Sequence, residues 1–127
     1  MKKGSPELKL SSHMSLVPLK QLPLEKRFAM LPDFLQMVIL DAERTIGLEE
    51  LIVFGSRARG DEKPLSDWDL CFKFPQEMLN AWLKFSIDLP EKSETLLGID
   101  AVSWDEASDA LKSNIRKDGL IVWKKNP

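Results

Sequence analysis

Two short runs hold the residues able to do chemistry: Gly55-Ser56-Arg57-Ala58-Arg59-Gly60 and, further on, Ser66-Asp67-Trp68-Asp69-Leu70. Asp67 and Asp69 stand two residues apart, so on a β-strand their carboxylates leave the same face. A cation held there meets hard, anionic oxygen. That donor set suits Mg²⁺, which takes one or two carboxylates together with substrate phosphates. Gly55-Ser56 follows the apolar run Leu51-Ile52-Val53-Phe54. A turn at that point can offer backbone N–H groups and a hydroxyl to phosphate oxygens, because glycine lets the backbone approach closely. Metal and phosphate sites would then lie side by side, as phosphoryl or nucleotidyl transfer requires. Either run alone carries little weight; together, with ten residues between Ser56 and Asp67, they form a specific signal.

A third acid, Asp100, sits inside the apolar run Ile99-Asp100-Ala101-Val102. A solvated surface aspartate has no reason to be embedded that way, and the same holds for Asp69. Three like charges brought together are costly unless a cation neutralises them. Asp88 is a weaker rival for the third position.

The elements that must position these groups follow from spacing. Pro32 suits the first position of a helix. Phe34, Leu35, Val38, Ile39, Ala42 and Ile46 then recur at helical intervals up to Gly47, leading into a strand from Leu51 to Phe54. Arg57 to Gly60 reads as a short helical turn and Asp61 to Leu65 as a polar loop. A second strand runs from Trp68 to about Phe74, with Trp68, Leu70, Phe72 and Phe74 on one face and Asp67, Asp69, Cys71 and Lys73 on the other. Pro75 opens a helix carrying Met78, Leu79, Trp82, Leu83 and Phe85 and ending near Asp88, followed by a charged loop over 89–97. A third strand spans Ile99 to Val102. Ser103 and Glu106 have capping-box spacing for a helix ending at Asp118-Gly119, and Leu120 to Trp123 closes as a strand. The order predicts an α/β (α+β) domain, a mixed sheet of about four strands flanked by helices.

Composition narrows the chemistry. At 127 residues the chain forms one domain, spanning 14–127, while residues 1–13 read as an expression leader ahead of Met14. That leader contains His13, the only histidine, so the domain proper has no imidazole for a zinc site or a histidine-dependent triad. Removing Lys2, Lys3, Lys9 and Glu7 with it takes the formal charge from −2 to −4. An acidic balance argues against nucleic acid as the main partner. The single cysteine, Cys71, fits a reducing cytoplasm and reads as a small buried residue. No apolar stretch approaches the ~20 residues that span a bilayer. Trp68 and Trp82 read as core residues and Trp104 as partly exposed. Leu16, Val17, Leu19, Leu22 and Leu24 lie on a proline-broken arm that is expected to be a docking surface.

Across Leu51 to Phe72 the sequence resembles the minimal nucleotidyltransferases (MNT) of the DNA polymerase β superfamily. Looser similarity extends to the end of the chain, with Asp100 matching the third acidic strand. These small proteins are commonly encoded beside a partner carrying a HEPN domain (higher eukaryotes and prokaryotes nucleotide-binding). The resemblance implies a nucleotidyltransferase working with ATP and two Mg²⁺ ions. Asp67 and Asp69 would hold the ion on the triphosphate and bridge both ions, and Asp100 would complete the second site and help activate the incoming hydroxyl. Gly55 and Ser56 would bind the β- or γ-phosphate. Arg57 and Arg59 are candidates for the same role, although either can instead pair with an acid such as Asp61. The resemblance further implies an antitoxin-type cytoplasmic protein that transfers AMP to a tyrosine of a HEPN-type partner. The alternative is a non-catalytic nucleotide-binding subunit of a two-protein complex.

Overall fold

The computed structural model describes residues 18–93 and 98–126, with the backbone alone over 90–93. The expected leader, along with Leu16 and Val17 of the arm, lies outside the described residues. Short turns Leu19–Gln21 and Phe28–Met30 flank helix α1 (Leu24–Arg27). Leu19 and Phe28 pack against the main core. Arg27 donates from Nη1 to the carbonyl of Ile121, 2.8 Å away, and from Nε to Leu19 and Leu22. The described part of the arm therefore folds back on its own domain rather than standing free.

Helix α2 (Asp33–Ile46) is built as its spacing predicts, burying Leu35, Val38, Ile39, Ala42 and Ile46. Pro32 precedes the first turn, and Gly47 ends the helix at φ 66°, a left-handed conformation that suits glycine. The remaining elements are β1 (Glu50–Phe54), α3 (Ser56–Arg59), β2 (Trp68–Lys73), a 3₁₀ turn (Gln76–Met78), α4 (Leu79–Ser93), β3 (Ile99–Ser103), α5 (Asp109–Asp118) and β4 (Leu120–Lys124). The four strands form one mixed sheet in the order β3-β2-β1-β4. β1 is antiparallel to both β2 and β4, and β2 is parallel to β3.

Two elements depart from the sequence expectation. α4 continues to Ser93 rather than stopping near Asp88. Trp82, Phe85 and Leu89 recur at i, i+3 and i+7, and all three are buried in the main core. Burial of that stripe outweighs the break that Pro90 would otherwise signal. Ser103 does not cap the following helix; it ends β3 with its side chain buried. Two successive turns intervene, and the cap is Ser108, whose Oγ accepts the Leu111 amide at 3.1 Å.

The sheet has two unlike faces. Trp68, Leu70, Phe72 and Phe74 join α2 and α4 in the main core, where Trp82 lies against Phe72 and Phe74 with ring centroids 5.0 and 5.3 Å apart. On the other face a smaller cluster of Ile52, Cys71 and Ile115 packs beneath α5. Burial pushes the Cys71 thiol up to about 12, so it is an inert packing residue. The small cluster covers only part of its face, and the acidic residues occupy the remainder.

Candidate active site

β1 delivers the chain to Gly55, which adopts φ 76° and turns it directly into α3. A Cβ there would collide with Asp69 Oδ2, so glycine is needed for the turn to pass so close to a carboxylate. At Gly98 an added Cβ would lie 2.5 Å from Asp67 Oδ1, the far end of an exposed side chain, so the approach is close but less binding than at Gly55. Two glycines thus leave room for the two acids of the Asp-x-Asp pair. No side chain caps α3, which leaves the Ser56 hydroxyl out of that role.

Strand register brings the acids together. Asp69 pairs with Phe54 on one side and with Asp100 on the other, so all three share the face opposite the main core. Asp67 precedes β2 on that side. The next residue, Trp68, donates its amide to the Gly98 carbonyl at 2.9 Å, fastening the strand start to the lead-in of β3. Asp67 and Asp100 are exposed, and Asp69 is half-buried. The Asp69 carboxyl lies above its ordinary value of 3.8. Burial is the largest cause, followed by the charges of Asp100 and Asp67, with Arg59 pulling weakly the other way. Asp88 is absent from these influences and belongs to α4, on the opposite face; Asp100 is the acid set beside Asp69.

The two arginines behave differently. Arg59 pairs with Asp61 at 3.2 Å and with Asp118 at 3.5 Å, and these partners raise its pKa. Both contacts are exposed and worth little in stability. Arg57 turns away into the loop, where Nη2 donates to the carbonyls of Ser66 (2.9 Å) and Pro64 (3.4 Å). Its guanidinium carbon lies 4.6 Å from the centroid of the Trp68 ring. Ser66 orders the same loop, its Oγ accepting the Lys63 amide at 2.8 Å.

Sequence reasoning missed one wall of the site. Leu111, Asn114 and Asp118 of α5 join Phe54, Gly55, Arg59 and Asp69 around a cavity of about 340 Å³. Their i, i+3, i+7 spacing was visible, but not that this stripe of α5 crosses the acidic face. Among the described residues no group of three or more histidine, cysteine or acidic side chains is arranged so as to hold a metal ion by itself. The donors present still fit Mg²⁺, which keeps several waters and binds through one or two carboxylates plus phosphates rather than in an all-protein cage. The crowding that raises Asp69 is what a cation would relieve.

Residues 39–127 match the family model for polymerase β nucleotidyltransferases. No curated protein matches the chain. Among solved structures, a nucleotidyltransferase from Sulfolobus solfataricus superposes with a TM-score of 0.50 at 20% identity, covering 80% of this chain and 87% of that one. A minimal nucleotidyltransferase gives 0.50 at 22% identity over 79% of this chain and 96% of its own. A tri-AMPylated Shewanella oneidensis HEPN toxin in complex with MNT antitoxin gives 0.43 at 15% identity, covering 81% and 74%. These likenesses are likenesses of fold.

Proposed function

This chain belongs to the polymerase β nucleotidyltransferase family, and from that premise we propose that it transfers AMP from ATP to a hydroxyl group, with Mg²⁺ as cofactor. The observation that carries this reading is the register that sets Asp69 between the Gly55 turn and Asp100. Mg²⁺, when bound, supplies charge neutralisation at the phosphates and acidifies the attacking hydroxyl. Asp67 and Asp69 would hold the Mg²⁺ that accompanies the triphosphate, and Asp100 would help to hold a second ion beside it. Gly55 and Ser56 receive the β- and γ-phosphates, and Arg59 can join them by exchanging an exposed carboxylate partner for phosphate oxygen. Asp100 faces the incoming hydroxyl and takes its proton. The acceptor oxygen bonds to the α-phosphorus as the bond to the bridging oxygen breaks, and pyrophosphate leaves with the electron pair. The chain's part is positioning and charge stabilisation, which can dominate this chemistry.

The acceptor we assign is a tyrosine of a HEPN-type partner, as the sequence resemblance implies. The 127 residues contain no tyrosine, so such an acceptor lies outside them. Asp100 lies exposed on β3, an edge strand, where a second protein can reach it. A binding-only nucleotide subunit of a two-protein complex is the alternative, and it is separated from the first reading by whether transfer occurs.

Calorimetry tests the site itself. ATP should bind in the presence of Mg²⁺ or Mn²⁺ and fail to bind in excess EDTA; equal affinity in both would refute the metal assignment. Asp100→Asn should keep ATP binding while lowering transfer by ~10² or more, the low end for losing general-base assistance. Transfer at the wild-type rate would move that role to another residue.

A further inference from the structure

We propose that Arg57 is a positioning residue for Asp67, and not a phosphate ligand. Asp67 is exposed, so its place is set by its two backbone neighbours, and Arg57 grips both. On one side it donates to the carbonyl of Ser66, the peptide unit that leads into Asp67, and to that of Pro64 in the same loop. On the other its guanidinium covers the ring of Trp68, which is only 5% exposed. The Nε of Arg57 is itself buried and has no partner. An unpartnered buried donor costs free energy, which the contacts of Arg57 to two carbonyls and the Trp68 ring must offset. Two carbonyls and an aromatic face are a match for a planar fork, and lysine cannot reproduce them. Ser66, fastened again through its hydroxyl to Lys63, makes the loop a strut rather than a free tether.

Arg57 follows Ser56 in the same helical turn, so α3 carries the serine assigned to phosphate and the strap on Asp67 one residue apart. The geometry of the triphosphate site and of the metal carboxylate are thereby linked through a single rigid turn. This inference rests on the reading of Asp67 as a metal ligand.

Its test uses Mn²⁺ alone as probe, with free ion followed by electron paramagnetic resonance, on the full chain and on Arg57→Lys, Arg57→Gln and Ser66→Ala. Wild type should bind Mn²⁺. R57K and R57Q should bind it about tenfold or more weakly, the loss typical of removing a group that orients a metal ligand. S66A should show a smaller loss in the same direction, and it serves if R57Q does not fold. Amide exchange over 61–67 should quicken in the Arg57 variants. At saturating Mn²⁺, R57K should regain the wild-type KM for ATP; a raised KM there would mark Arg57 as a phosphate ligand and overturn the inference. Equal Mn²⁺ affinity in wild type and R57K would overturn it while leaving the functional reading intact. No Mn²⁺ binding by wild type would overturn the inference, which needs Asp67 to hold the ion, while the functional reading would still be decided by metal-dependent ATP binding.

Discussion

At the scale of single residues, Asp69 is the group on which charge, backbone and packing converge. Its carboxyl is crowded by Asp100 and Asp67 and partly desolvated, so the folded state holds its proton more tightly than the unfolded chain does. Where the folded pKa exceeds the unfolded one, the native state binds more protons and stability falls as pH rises through that interval. The penalty begins near 3.8, the ordinary value, and is complete above the raised one. Asp69→Asn should therefore melt a few degrees above wild type at pH 7 without metal, with the difference vanishing as pH drops below about 3.8. Thermal melts across that range check the sign; a lower melting temperature for the variant at pH 7 would contradict it. The pairing of Asp67 with Asp69 was legible from a two-residue interval alone. The place of Asp100 beside them needed the parallel register of β2 and β3, and the destination of Arg57 needed the path of the loop, neither of which side-chain types encode locally.

Among the elements, α2 was readable from one helical period ended by Gly47, β2 from its alternation, and the other strands from short apolar runs that start or stop at Gly55, Gly98 and Gly119. α4 was ended too early, near Asp88, because 89–97 was read as a charged loop, while the apolar stripe through Trp82 and Phe85 continues to Leu89 within the helix. Tertiary burial decided the matter. Leu89→Ala should cost about 2–5 kcal/mol, as for other buried leucines, whereas Leu83→Ala, at a position 47% exposed, should stay within about 0.5 kcal/mol. Urea unfolding of both variants measures this, and equal small effects would mean that the helix does not dock through Leu89. The start of α5 was misplaced for a related reason. Ser103 and Glu106 have the right interval for a capping box, but Ser103 is a buried strand residue, and the chain turns twice before Ser108 begins the helix.

For the molecule as a whole, the unlike faces of the sheet explain where chemistry can occur. One face is closed by α2 and α4 over a continuous core, and no helix among the described residues is long and apolar enough to cross a membrane. The other is roofed in part by α5, leaving the acids and the Gly55 turn open beside a cavity of about 340 Å³. Asp67 and Asp100 are exposed, and Asp100 stands on an edge strand. An acceptor brought by a second protein suits that openness better than a small molecule that must be enclosed. The most direct measurement is the intact mass of a HEPN-type partner after incubation with this chain, ATP and Mg²⁺. The partner should gain mass in units of AMP, and the gain should disappear with the double variant Asp67→Asn, Asp69→Asn. A partner that binds the chain yet gains no mass, or gains it equally with the double variant, would contradict adenylyl transfer at this site.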